Sequence, residues 1–276
     1  MRTLITKFQQ NLKFRSYEMH KFMPKVSFEI EVGSYILKTA THRDELKSAF
    51  LLRNEVFFGV DHSRGRLYDI DQFDSVCDHL IILHKETKAV VGTYRMNHSS
   101  EETDFYSSME FKLQTIISSK KSCVELGRAC IAENHRNGIV ISLLWRGIYA
   151  YMKSCQADIL FGCSSIKNMN SRQAALVMRY FESVDLIDQD YATEPQFVYH
   201  VPLLDEYLSE YSLPLSTDQL MEVKEIIPSL LKSYIKFGAK VTGPPAWDTV
   251  MNCMDFLTVM RVENLSNQVE RKFRNN

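Results

Sequence analysis

No stretch of this sequence is apolar for long enough to cross a membrane. The longest such run, near Ile139 to Trp145, falls far short of the roughly 18 residues a spanning helix requires. No secretory signal pattern is visible either, so the chain is expected not to be integral to a membrane. Net charge is nearly absent: at a formal −1, no global field draws the chain to nucleic acid, and an anionic partner must be met by a local basic patch. DNA and RNA are therefore not expected partners. The six cysteines (Cys77, Cys123, Cys130, Cys155, Cys163, Cys253) include no C-x-x-C pair, and several sit in apolar runs where a reduced thiol acts as a small hydrophobe. That usage fits a reducing cytosol. Internal repeats and low-complexity tracts are absent as well.

What is present is an ordinary globular composition, 45% hydrophobic and 24% charged over 276 residues, enough for one large domain or two small ones. The hydrophobic pattern alternates between strand and helix periods. SYILKTAT (34–41) reads as a strand, and HRDELKSAFLLRNEVFF (42–58) as an amphipathic helix. HLIILH (79–84) and AVVGTYRMN (89–97) read as a hairpin around KETK. A helical stretch near 107–117, the strand SCVELGRACI, the loop HRNG and a helix over about 138–153 follow. DILFGCSS has the unbroken apolar character of a strand buried on both faces. The helix after it has Asn168 or Asn170 available as its cap. QFVYHV (196–201) reads as a further strand, TDQLMEVKEIIPSLLKSYIKFG as a helix broken at Pro228, and residues 254–262 as the last strand.

Together these elements predict a mixed α/β sheet flanked by helices. The organisation read from them is a basic amphipathic segment over 1–29, a single domain over 30–265 with a helical insertion at about 203–240, and a polar tail over 266–276. In the first segment Leu4, Ile5, Phe8 and Leu12 share a helical face among Arg2, Lys7, Lys13, Arg15, Lys21 and Lys25. It reads either as a terminal helix docked on the domain or as a surface for an acidic carrier protein or anionic lipid.

Three patterns carry chemistry. Glu125 and Arg128 lie inside a β-branched strand, where charges are costly unless paired or used. DIDQFD places Asp69, Asp71 and Asp74 in one loop; lacking the glycine and ligand spacing of a calcium loop, it is assigned no metal. These carboxylates are either a solvated acidic loop or a grip for an ammonium group, with Arg53, Arg95 and Arg128 available to pair with them or with a substrate carboxylate. The HRNG loop opens directly into a helix, where Arg136 and the backbone at Gly138 suit a phosphate. The His200 and Asp205 spacing in HVPLLD, an O-acyltransferase pattern, is read as chance because Pro202 interrupts it and no partner motif follows.

The ordered blocks LLRNEVFF, DIDQFDSVCDHLIIL, VVGTYRM, VELGRACI with HRNGIVISLLWRGIYAY, DILFGCSSI, LLKSYIKFGAKVTGPPAWD and MDFLTVMRV resemble the bacterial ornithine-acyl carrier protein N-acyltransferases. That family makes lyso-ornithine lipid and is related to the GNAT superfamily. The resemblance covers roughly residues 30–265; a more distant one links the same blocks to acyl-homoserine lactone synthases. It implies a GNAT-like fold, with a mixed, mostly antiparallel sheet flanked by helices and the helical insertion before the last strand.

It also implies an active-site wall of Arg53, Phe57, Asp71, Asp74, Arg95, Glu125 and Arg128, with Asp69 beside them. The loop HRNGIVI keeps one glycine where acetyl-CoA-dependent relatives have two small residues. A carrier protein's phosphopantetheine, with its single phosphate, fits that thinner loop better than CoA.

The implied reaction is aminolysis of a thioester, with an acyl-phosphopantetheine co-substrate on acyl carrier protein and no bound cofactor. Glu125 is the expected base and Arg128 or Arg53 the expected carboxylate grip. Backbone N–H groups near Cys130 to Ala132 are the expected oxyanion donors. Cys130 and Cys163 are read as buried hydrophobes, not nucleophiles. Residues 143–152 and 176–181 are read as core or as the lining of an acyl tunnel. The acceptor is expected to be ornithine, with glycine, glutamine, lysine or a signal-precursor amine as alternatives, and a non-catalytic acyl-carrier or acyl-ligand binding protein as the alternative from another class. The expected location is the cytoplasm, with peripheral inner-membrane contact through the basic N-terminus left open.

Overall fold

A computed structural model describes residues 17, 19–59, 67–99, 104–136 and 138–265. Most of the basic N-terminal segment, Asn137 of the HRNG loop and the polar tail lie outside the described residues. In chain order the elements are β1 (Glu29–Val32), β2 (Tyr35–Thr39), α1 (Arg43–Phe58), β3 (Asp78–His84), β4 (Val90–His98), α2 (Gln114–Ile117), β5 (Cys123–Ile131), α3 (Ile139–Cys155), β6 (Ile159–Lys167), α4 (Ser171–Ser183), α5 (Leu204–Glu210), α6 (Thr217–Ile226), α7 (Ser229–Lys236), β7 (Lys240–Val241), β8 (Ala246–Asp248) and β9 (Cys253–Arg261). The packing divides them into two units, residues 1–100 with 124–157 and residues 101–123 with 158–276. Among the described residues no helix is long and apolar enough to cross a membrane.

In the first unit β1 to β5 form an antiparallel meander in chain order. Helix α1 covers one face because Leu46, Ala49, Phe50 and Arg53 recur at helical spacing and are all buried. Its start is closed by Glu45, whose carboxylate accepts the backbone N–H groups of Thr41 and His42 at 2.8 and 3.1 Å. Helix α3 lies on the other face, and two glycines set how closely. A Cβ on Gly147 would come within 2.6 Å of Leu37 and Leu80, and one on Gly92 within 2.7 Å of Val140. Residues 143–152 contribute Leu143, Leu144, Trp145, Ile148, Tyr151 and Met152 to this buried layer.

In the second unit β9 pairs antiparallel with β6, β7 and β8. Helix α4 is capped by Asn170, which accepts the Gln173 N–H at 2.9 Å, and buries Leu176, Val177 and Phe181 in the core. Pro228 separates α6 from α7, as its missing N–H dictates.

Two expectations need correction. QFVYHV is a 3-10 turn over Phe197–Tyr199: its N–H groups close locally, Tyr199 onto Gln196 and His200 onto Phe197, and Phe197 and Val198 stay exposed. The stretch 107–117 is a 3-10 turn (Tyr106–Met109) and a short helix, separated where Phe111 bridges Pro195. The short strands β1, β7 and β8 were not expected, because segments of two to four residues carry too little periodicity.

Candidate active site

The acid-rich loop, α1, β4 and β5 bring three arginines onto three aspartates within the first unit. Arg53, on the buried stripe of α1, donates from both terminal nitrogens to Asp74 at 2.7 and 3.1 Å and from Nε to Asp69 at 2.8 Å. Arg95 of β4 donates to Asp71 at 2.6 Å and Asp74 at 3.2 Å. Arg128 of β5 donates to Asp71 at 2.9 Å and lies 3.3 Å from Asp69. The carboxylates are held in place by a 3-10 turn over Gln72–Ser75, in which Asp71 caps Phe73 N–H at 2.9 Å and Asp74 accepts Asp71 N–H at 2.8 Å.

Each guanidinium also faces a phenylalanine ring: Arg53 over Phe50 at 5.0 Å, Arg95 over Phe73 at 5.6 Å, and Arg128 over Phe57 at 5.9 Å. Three cations and three anions balance, which is what permits so much charge to be buried. Burial opposes ionisation of Asp74, but Arg53 and Arg95 outweigh it and hold its carboxyl well below the usual range. Asp71 is lowered in the same way, burial being outweighed by Arg95 and Arg128.

The cluster has a sealed end and an open end. Arg53 and Asp74 have side chains 1% and 0% exposed, whereas Arg128 and Asp71 retain 17% and 25%. A ligand arriving from solvent meets Arg128 and Asp71 first, with Phe57 against them.

Strand β5 explains how Glu125 and Arg128 come to share a face. Pairing places Glu125 opposite Asn97 and Gly127 opposite Arg95, but Cys130 opposite Thr93. Arg128 and Ala129 thus stand against Tyr94 alone, a β-bulge, with Arg128 at φ 53°. The extra residue shifts the alternation so that Glu125, Arg128 and Cys130 all lie on the α1 face. Glu125 is 5% exposed. Of the expected oxyanion donors, Ala132 N–H is already bonded to the Val91 carbonyl at 2.9 Å. Burial pushes the Cys130 thiol up to about 12, so it stays protonated.

The loop after β5 is tied down on one side by His135, whose Nδ1 lies 3.1 Å from the Tyr35 hydroxyl. Arg136 donates from Nε to the Ile131 carbonyl at 3.2 Å and is otherwise exposed, and Gly138 takes φ 85° at the start of α3. These two residues stand at the N-terminus of α3. His200 is occupied with the Pro195 carbonyl at 3.2 Å.

Two groups had no signal in the sequence. His79, opposite Arg95 in the sheet, is 1% exposed and contacts the Asp74 carbonyl through Nε2 at 2.9 Å. In the second unit Glu110, Asp248 and Asp255 are buried near one another although far apart in sequence. Burial and the two aspartates push Glu110 up to about 8. Asp248, Cys253 and Asp255 present ligand-type atoms within 4.8 Å. Those atoms are engaged internally: Asp248 accepts Val250 and Met251 N–H, and Asp255 accepts the Ser165 hydroxyl and the Cys253 thiol.

Residues 52–146 match the acetyltransferase (GNAT) domain. The matched segment is an acyltransferase domain of GNAT type. The chain is 26% identical to an L-ornithine N(alpha)-acyltransferase of Agrobacterium fabrum over 85% of this chain and 83% of that one. It is 27% identical to the protein of the same name from Brucella abortus, over 86% of this chain and 88% of the relative. Among solved structures, an N-acyl amino acid synthase from uncultured soil microbes overlays with a TM-score of 0.46 and 11% identity, over 88% of this chain and 96% of that one. The matched domain contains Arg53, the aspartate loop, Arg95, Glu125, Arg128 and the loop that opens α3. An acyltransferase of this type takes its acyl group from a thioester and delivers it to an amine.

Proposed function

We propose that this chain transfers an acyl group onto the α-amino group of ornithine, with acyl carrier protein presenting the thioester. The observation that carries the acceptor is the name shared by the curated relatives, whose similarity extends over most of the chain. Support for the carrier is the single-glycine loop, where Arg136 and the Gly138 backbone at the start of α3 suit one phosphate. The phosphate of the phosphopantetheine arm lies at the N-terminus of α3, and the thioester reaches along β5.

Glu125 accepts a proton from the incoming ammonium, directly or through a water, because the amine must be neutral to attack. Arg128, the most exposed of the three arginines, takes the amino acid's carboxylate, and Asp71 orients the ammonium. Arg53, Asp74 and Arg95 brace this edge from behind, which favours Arg128 over Arg53 as the carboxylate grip. The oxyanion is held by backbone N–H groups at the bulge, where β5 departs from its regular ladder. The site faces the cytoplasm, and the basic N-terminal segment meets either the acidic carrier or an anionic membrane surface.

The test is release of carrier thiol by the purified protein from 3-hydroxyacyl-carrier protein, with single amino acids as acceptors. Ornithine-dependent release that collapses in Glu125→Gln is the expected result. Dependence on glycine, glutamine or lysine instead of ornithine overturns the acceptor, and use of acyl-CoA with no use of the carrier overturns the donor.

A further inference from the structure

The Gln72–Ser75 turn decides where Asp74 sits, and therefore where all three guanidinium groups point. Within the loop it is closed by the Asp71 and Asp74 side chains and by backbone bonds, among them Val76 and Cys77 N–H onto the Phe73 carbonyl. Besides the arginine contacts to its side chains, the turn's backbone is tied to the sheet by His79, whose Nε2 lies 2.9 Å from the Asp74 carbonyl. A carbonyl oxygen only accepts, so Nε2 carries the proton and Nδ1 is the bare nitrogen of a neutral ring. Nδ1 has no hydrogen-bond partner, and the ring is fixed by Phe22 at 5.5 Å and Phe50 at 5.2 Å. Phe50 also faces Arg53, so one aromatic ring touches both the imidazole and the guanidinium.

The backbone of His79 is equally constrained, since its carbonyl accepts Ala40 N–H at 2.7 Å and it sits opposite Arg95 in the β3–β4 register. The geometry points to His79 as a positioning residue for the acyl transfer: a rigid neutral strut from β3 to the Asp74 backbone that sets the guanidinium array at the height the acceptor requires. This rests on the function proposed above. The strut has to stay uncharged, because Arg53 and Arg95 face it and Asp74 alone favours its protonation; burial and those cations push it down to about 4.

Two substitutions separate the donor from the ring. His79→Phe keeps the aromatic contacts and removes the N–H; His79→Gln removes the ring and places an amide N–H near the position of Nε2. At a temperature where circular dichroism shows each variant folded, H79F is expected to lose about 10²-fold in kcat/KM for the acceptor, the scale of a displacement near 1 Å at a reacting centre. Its KM for acyl-carrier protein should stay unchanged, because the phosphate site does not depend on the turn. H79Q is expected to recover most of the loss.

Acceptor kinetics in H79F equal to wild type, or donor and acceptor constants degraded alike in both variants, overturn the inference and leave His79 a core aromatic. The imidazole nitrogens of the wild-type protein, followed by ¹⁵N NMR between pH 5 and 8, give a reading that needs neither turnover nor a folded variant. A non-titrating Nε2–H tautomer is expected, and an Nδ1–H tautomer or a titration near neutrality overturns the strut. Absence of turnover with every acceptor in wild type sinks the functional reading, while the NMR result still decides the strut.

Discussion

Arg53, Arg95 and Arg128 share the same three carboxylates, yet their exposures assign them different work. Asp74 is fully buried and bonded to two of them, so Asp74→Asn leaves buried cations without a full partner. It is expected to destabilise the first unit by about 3 to 5 kcal/mol, read as a lower urea midpoint. Arg128→Gln removes a half-open guanidinium and is expected to cost little stability while raising the acceptor KM at least tenfold, about 1.4 kcal/mol in binding. Glu125→Gln is isosteric and carries no proton-accepting charge. A fall in kcat of about 10²-fold or more with a nearly unchanged acceptor KM is expected in steady-state assays. The residues of this set were legible in the sequence because charges inside strands and clustered in loops are conspicuous. Which of them face solvent was not, since exposure depends on how the 3-10 turn folds onto α1 and β4. His79 was invisible for a related reason: it follows the buried Asp78 in a strand otherwise apolar up to His84, and only its pairing opposite Arg95 brings it to the site.

At the scale of elements, two features position the chemistry: the bulge in β5 and the close seat of α3. The bulge puts Glu125 and Arg128 on one face despite their odd spacing, which alternation alone would assign to opposite faces. No sequence pattern announces it, because bulges answer to pairing with a neighbouring strand. The seat of α3 depends on Gly92, whose absent Cβ makes room for a γ-methyl of Val140. Val140 is β-branched and cannot swing aside easily. Gly92→Ala is therefore expected to destabilise by about 1 to 3 kcal/mol. The double variant Gly92→Ala with Val140→Ala should recover part of that loss relative to the two single losses summed, a coupling read from a double-mutant cycle of urea midpoints.

Over the whole molecule, the two units carry opposite pH responses. His79 has a folded value near 4 against an ordinary 6.5, so the unfolded chain takes up its proton first; its contribution is complete above pH 6.5 and lost as pH falls toward 4. Glu110 has a folded value near 8 against an ordinary 4.5, so its contribution is complete below pH 4.5 and lost as pH rises through 8. Across its window His79 is worth about 3 kcal/mol and Glu110 about 5 kcal/mol. The chain has two tryptophans, Trp145 in the first unit and Trp247 in the second, so W247F and W145F backgrounds report the units separately. Unfolding reported by Trp247 is expected to weaken from pH 5 to 8 and to become nearly flat in Glu110→Gln, while Trp145 should report weakening from pH 6.5 downward. By itself the sequence determined the alternation of strands and helices, the Asn170 cap, the break at Pro228, the resemblance to acyl carrier protein-dependent N-acyltransferases and the residues gathered at the site. These follow from local periodicity, backbone chemistry and ordered motifs. Only the tertiary structure decided that QFVYHV forms no strand, that the β5 bulge turns Glu125 and Arg128 together, that Arg53 is sealed while Arg128 is open, and that Glu110 lies among buried aspartates. Each of those depends on which distant segment supplies the missing hydrogen bond, charge or covering surface, and a linear pattern does not carry that.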